Sequence, residues 1–295
     1  MKNDSDYHES VMMREVLEYL HIKKQAWYID STLGTGGHSV EIFKKGGNVL
    51  GIDMDPAMIN IARERLNSCP AHENIFKLVQ GNFRNIDKIT KDQGIKDVNG
   101  IVFDLGVSNI QLKGPGFSFS NEEADLDMRV NPKEQGVKAY DLLNMLRPDQ
   151  LVELFAEVIP YSVSKVLAQR VNVARQTKSF VKVGDFLNAI KGIESKPNLH
   201  YATLPFLALR MAVNTEVDNL VESLPKAFNL LEKGGRLVVI SFHSREDGIV
   251  DKFFNSTKDK ARILTQNYIS PSMQEIRKNL KARSARLRAI EKINE

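Results

Sequence analysis

Apolar positions give the first outline of the chain. Short, almost unbroken apolar runs at 26–29, 48–52, 75–79 and 100–103 alternate with stretches whose apolar residues recur every three or four positions. Such runs read as strands buried on both faces, and the helical recurrence reads as the amphipathic helices that cover them. One helix is expected over 8–20, with Val11, Met12, Val16, Leu17 and Leu20 on its apolar face. A second carries Val40, Ile42 and Phe43, and a third opens at Pro56, a favoured first-turn position, and runs through Met58, Ile59, Ala62 and Leu66. Strands alternating with helices at this interval predict a parallel sheet with right-handed crossovers.

The alternation stops after Gly106. As far as Thr203 no run reads as a buried strand, and Gly114-Pro-Gly116 and Asn131-Pro132 punctuate a loop-rich stretch. Helical periodicity returns at 140–146, 149–158, 163–174 and 183–190, and 197–205 reads as a return linker. The pattern predicts an α/β domain, 1–111 with 204–295, interrupted by an all-helical subdomain at 112–203. A long helix over 208–231, a strand at 236–240 and a helix at 245–254 resume the first pattern. In the tail, Ala285, Leu287 and Ala289 alternate with Arg286 and Arg288, which fits a last edge strand or a basic surface helix.

Composition narrows the class. With 42% apolar and 26% charged residues in a chain of 295, a sizeable core is expected. No run approaches the roughly 20 apolar residues of a membrane span, and Met1-Lys-Asn-Asp-Ser-Asp has no signal-peptide core. The single Cys69 excludes an internal disulfide framework and a cysteine-built zinc site; a cytoplasmic address and no metal are expected. The net charge of +4 is unevenly spread: 160–210 holds eight Lys/Arg against two acids, and 256–295 ten against four. Two basic segments on an acidic body suit a polyanion; solvated helix faces are the plainer account.

The candidate chemistry lies at the strand ends, where doubly wound sheets bind ligands. The first strand runs into Tyr28-Ile-Asp-Ser-Thr-Leu-Gly-Thr-Gly-Gly-His38, a turn with Gly34, Gly36 and Gly37 before a helix. Ser39 stands where a dinucleotide fingerprint would have its third glycine. Asp53 follows 17 residues after Gly36, in reach of ribose hydroxyls, unless it caps the next helix. Phe83 is placed to stack on an adenine, unless it is core. Asp104 ends the fourth strand, and His243 follows the fifth. Nicotinamide and adenosylmethionine cofactors both suit such a crevice; the missing glycine and the second acid favour the latter.

Seven motifs then occur in one order. They are the glycine loop through Ser39, Asp104-Leu-Gly-Val-Ser-Asn-Ile-Gln-Leu112, Gly116-Phe-Ser-Phe119, Leu126-Asp-Met-Arg129, Arg210-Met-Ala-Val-Asn214, Ile240-Ser-Phe-His-Ser244 and Ala282-Arg-Ser-Ala-Arg-Leu-Arg288. Together they resemble the MraW/RsmH family, which methylates the exocyclic N4 of a cytidine in the decoding region of small-subunit ribosomal RNA. The resemblance runs from about His8 to Lys292. It implies a class I, Rossmann-like S-adenosylmethionine-dependent methyltransferase fold with a helical insertion. It also implies cofactor contacts at Gly36, Gly37, His38, Asp53, Phe83, Asp104 and Gln111. Asp104, with Ser108, is the first candidate to grip the target amino group, the alternative being that Asp104 serves only the cofactor. His243 and Asn214 are candidates to line the target pocket, and Asp127 with Arg129 forms an ion pair or a phosphate contact.

The resemblance implies small-subunit ribosomal RNA, naked or assembled, as partner, with the Arg and Lys of insertion and tail on its phosphates. A methyltransferase on another RNA or on DNA, and a silent ribosome-assembly homologue, are the rival readings. Departures from the family pattern are Thr35, Asn109, Pro160-Tyr-Ser-Val-Ser164, Leu204, Arg245, Gly248 and Asp251. They lie mostly in the insertion and on the expected substrate side.

Overall fold

The structure is a computed structural model that describes residues 10–70, 73–108, 110–195, 197 and 199–294. His8, at the start of the expected first helix, and Asn109 lie outside the described residues. The chain divides into two compact units, Met1–Val107 with Asp218–Glu295, and Ser108–Val217.

The first unit is built on β1 (Trp27–Asp30), β2 (Asn48–Asp53), β3 (Phe76–Gln80), β4 (Val98–Asp104) and β5 (Leu231–Ser241). These pair in parallel, and with β6 (Ala261–Ile263) and β7 (Arg286–Lys292) they form a seven-stranded sheet of order β3-β2-β1-β4-β5-β7-β6. Alternate residues feed two cores. Ile29, Leu50, Ile52, Ile101, Phe103 and Val239 meet α10 (Glu216–Leu230) and α11 (Ser244–Ser256) on one face. Tyr28, Val49, Val102 and Val238 meet α1 (Met13–Leu20) and α2 (Gly37–Lys44) on the other. β1, β2, β4 and the end of β5 are buried on both faces and are therefore mostly apolar, and each buried apolar side chain contributes roughly 1.5–3 kcal/mol. Helices α3 (Pro56–Asn67) and α4 (Ile86–Asp92) complete the crossovers. The order reverses between β1 and β4, which opens the crevice where ligands of such sheets bind.

The tail resolves the choice between strand and helix. β7 (Arg286–Lys292) is a strand, but not at the edge: it lies antiparallel between β5 and the short β6 (Ala261–Ile263). Its alternation arises because Leu287 and Ala289 enter the core while Arg286 and Arg288 point away.

The second unit is helical: α5 (Ala139–Met145), α6 (Pro148–Ala156), α7 (Tyr161–Thr177), α8 (Val183–Ile190) and α9 (Thr203–Val213). Phe155, Phe180, Phe186 and Phe206 interlock at its centre, with Phe186 5.4–6.3 Å from each of the others. The expected boundaries of 112–203 are too narrow, because Phe206, Ala208, Leu209 and Val213 of α9 join this core. The expected helix over 208–231 is for the same reason two helices. They break at Asn214 and at Thr215, whose φ of 48° no helix accommodates.

The departures in this unit have structural reasons. Pro160 stands at the N-cap of α7, and the buried Ser164 hydroxyl donates to the carbonyls of Ile159 and Pro160. Leu204 packs against the helical core.

Candidate active site

The strand ends of the α/β unit carry the groups expected there. After Asp30 the chain leaves β1: Ser31 N–H donates to Val102 O and Leu33 N–H to Ile52 O, both at 2.9 Å. The loop then enters α2 with Gly36 as N-cap in the left-handed region, at φ 80°. A side chain at Gly36 would be strained there and would press on Ala62 of α3, whose Cβ lies 2.9 Å from the position a Cβ would take. A Cβ on Gly37 would overlap the Ser10 hydroxyl. Close packing within this chain therefore accounts for both glycines. What the turn offers a ligand is backbone, with the unpaired N–H groups that every helix start presents. Thr35 accepts from the Arg65 guanidinium through its carbonyl, at 2.9 Å, and through its hydroxyl, at 3.3 Å.

Asp53 at the end of β2 braces this loop. Its Oδ2 accepts the Gly34 N–H and its Oδ1 the Asp55 N–H, both at 2.8 Å. The helix cap is Asp55, which takes the Ala57 N–H at 2.9 Å, so the capping alternative for Asp53 falls away. Burial pushes the Asp53 pKa up to about 7, against the opposing pull of the two N–H groups. Its remaining lone pairs can still accept from a diol. Phe83 meets Phe103 edge to face at 5.5 Å and packs partly buried on the sheet core, which limits but does not remove its exposed edge.

His38 and Asp104 are brought together across the crevice. His38 is buried in the first turn of α2, with Nε2 3.4 Å from Asp104 Oδ2. Burial alone would lower the imidazole pKa; the carboxylates of Asp104, Asp30 and Glu275 outweigh it, and the net shift is upward. Asp30 is buried as well, and burial raises its pKa despite His38 and the Ser39 hydroxyl.

Four buried polar atoms here lack a hydrogen-bond partner: Ser31 Oγ, both imidazole nitrogens of His38, and Asp104 Oδ1. Leaving such an atom unpaired costs roughly 1–3 kcal/mol. An adenosyl cofactor with diol, amino and carboxylate groups fits this donor and acceptor set, and the residues suit it. Asp30, Ser31, Thr32 and Ser39 went unassigned on sequence, although a carboxylate and three hydroxyls flanking a glycine turn were a signal that could have marked them.

His243 is placed as the N-cap of α11. Its Nδ1 accepts the Glu246 N–H at 3.4 Å, and its Nε2 lies 3.1 Å from Glu246 Oε1. In the helical unit Ser108 and Gln111 brace each other: Ser108 N–H donates to Gln111 Oε1 at 2.8 Å, and Gln111 N–H to Ser108 Oγ at 3.2 Å. Asn214 is buried and pins the loop after Met128, donating to Met128 O and accepting from Val130 N–H and the Gln135 amide. Asp127 and Arg129 form a two-pronged ion pair at 2.6 and 2.8 Å.

The basic tail is partly committed to the fold. Arg288 binds Asp247 and Asp251, both at 2.6 Å, and Arg286 binds Asp247 at 3.2 Å and lies over the Tyr268 ring. These two arginines are structural, and the departure Asp251 is one of their partners. Arg277, Lys278 and Arg283 are exposed. Among the described residues there is no cluster of three or more His, Cys, Asp or Glu suited to a metal, and no helix long and apolar enough to cross a membrane.

Comparison with known proteins adds the relatives. The model of the MraW methylase family matches residues 5–293. A protein of Dictyoglomus thermophilum named ribosomal RNA small subunit methyltransferase H is 38% identical over 99% of both chains. One of the same name from Thermotoga neapolitana is 39% identical over 100% of this chain and 99% of its own.

Proposed function

The chain belongs to the MraW methylase family and is an S-adenosylmethionine-dependent methyltransferase; from that premise we propose that it methylates the N4 amino group of a cytidine in the decoding region of small-subunit ribosomal RNA. The observation that carries this reading is Asp104, at the reversal of strand order, with one carboxylate oxygen facing His38 and the other buried and unpaired.

When bound, the cofactor supplies an electrophilic sulfonium methyl. Asp53 would accept from its ribose hydroxyls, the backbone of Gly34 to Gly37 would hold the nucleoside, and Phe83 would offer its edge to the base. A cytosine amino group is a poor nucleophile because its lone pair is delocalised into the ring. Asp104 accepts a hydrogen bond from that NH2, which holds the nitrogen in line and favours localisation of the lone pair. No strong base is needed first, since the proton becomes acidic once nitrogen carries the methyl group. His38, held toward its charged form, faces the Asp104 carboxylate at 3.4 Å. Ser108, Gln111 and His243 remain candidates for substrate and cofactor contact. The base must leave its stack to be reached, and the helical unit with the exposed cations of the tail grips flanking phosphates, in the cytoplasm where subunits mature.

The test is transfer of tritium from methyl-labelled cofactor to naked small-subunit RNA and to isolated small subunits, with nucleoside mass spectrometry of the product. N4-methylcytidine is expected, and Asp104→Ala should lower the rate by on the order of 10²–10³-fold. Undiminished activity in that variant would remove Asp104 from the mechanism. Label only in another nucleoside would overturn the substrate reading.

A further inference from the structure

Asp104 sits where the sheet comes apart, and a residue outside the candidate set holds it there. The β1–β4 ladder ends with Asp30 opposite Val102. Leu105 N–H turns the other way, to Ile240 O in β5 at 3.0 Å. Asp104 N–H therefore faces the side that β1 has already left, and the sheet provides no carbonyl for it. The Thr32 hydroxyl fills the gap: Asp104 N–H donates to Thr32 Oγ1 at 2.6 Å.

Thr32 is itself tied to a buried carboxylate. Its N–H donates to Asp30 Oδ1 at 3.4 Å, and the Ser39 hydroxyl donates to Asp30 Oδ2 at 2.7 Å. Ser39 follows His38, whose imidazole faces Asp104 at 3.4 Å. The links close a ring, Asp30–Thr32–Asp104–His38–Ser39, that joins the ends of β1 and β4 to the first turn of α2. A buried carboxylate receiving two hydrogen bonds is a stiff anchor, because any rotation strands a lone pair away from water.

We propose that Thr32, anchored by Asp30, is a positioning residue that sets the Asp104 carboxylate against His38 for methyl transfer. The proposal rests on the reading of Asp104 given above. A purely structural Thr32 would satisfy an N–H and affect stability alone. A positioning Thr32 governs the rate, because a displacement of about 1 Å in a reacting group costs on the order of 100-fold.

Thr32→Val keeps the branched shape and removes the acceptor; Thr32→Ser restores it. The expected result for Thr32→Val is a fall in kcat on the order of 10- to 100-fold. KM for RNA and the affinity for S-adenosylhomocysteine by calorimetry should stay unchanged, and the Asp104 amide should exchange faster with solvent. Thr32→Ser should recover most of the rate. Wild-type kcat in Thr32→Val, a loss confined to KM or to cofactor affinity, or no recovery in Thr32→Ser would each overturn the proposal. If Thr32→Val does not fold, Thr32→Cys, with similar bulk and a poorer acceptor, is read by the same criteria. Asp104→Ala separates the two failures. An inactive Asp104→Ala beside a fully active Thr32→Val refutes this inference alone, and an active Asp104→Ala refutes the reading beneath it.

Discussion

The two units differ less in their apolar cores than in the fate of their buried polar atoms. Among the described residues, no buried side-chain nitrogen or oxygen of Ser108–Val217 lacks a hydrogen-bond partner. Asn214, Asn144 and Ser164 are each spent on neighbouring backbone. In the α/β unit, Ser31, His38 and Asp104 keep unpaired atoms just past the carboxyl ends of strands. Asn74 Oδ1, before β3, departs from this position. A scaffold satisfies its own polar groups; a site leaves some for the ligand, and accepts the loss of stability that follows.

That contrast can be broken at several strengths. The largest effect is expected in the helical core. Phe155→Ala removes a fully buried ring stacked on Phe186 and should cost about 3–5 kcal/mol. Trp27, the single tryptophan, reports on the α/β unit alone. In urea, the far-UV circular dichroism transition should then move below the Trp27 fluorescence transition. Coincident transitions would mean that the units unfold as one block.

Next comes Asn214→Ala, which leaves Val130 N–H and Met128 O without their partner and should cost about 1–3 kcal/mol. At a temperature where the variant is folded, kcat should match the wild type. A slower kcat with intact structure would move Asn214 from scaffold to target pocket.

The smallest effect sharpens the site side. The raised pKa of Asp53 means that the native state keeps a proton that the unfolded chain releases between its ordinary 3.8 and about 7. In the free protein this group therefore costs stability as pH rises through that window. A ribose diol donates to the carboxylate, so binding of S-adenosylhomocysteine should tighten as pH rises toward 7. Below 7 each unit should cost up to ~10-fold in affinity. Asp53→Asn should lose this component of the pH profile in calorimetry. Parallel profiles for the two proteins would detach Asp53 from the diol.

Much of the architecture is written locally. A strand buried on both faces must be apolar along its length, so β1, β2, β4 and the end of β5 stand out, as do the helices α5 to α8. Asp53 and Asp104 are legible because a strand end is a place that the apolar pattern itself marks, whereas His38 and Gln111 come only from the family resemblance. The short β6 carries no such mark: its three residues, Ala261–Ile263, gain their structure from pairing with β7. Nor does the break between α9 and α10, where the Asn214 side chain bonds residues more than 80 positions away.

The sequence by itself determined the alternating α/β order, the helical interruption and the strand-end groups, because each depends on contacts within one element or its immediate flanks. Only the tertiary structure decided that β7 enters between β5 and β6, that Arg286 and Arg288 serve Asp247 and Asp251, and that Thr32 holds Asp104. These are pairings of groups far apart in the chain, 72 residues in the last case, and a hydroxyl shows its partner only once the strands have parted to leave an N–H unclaimed.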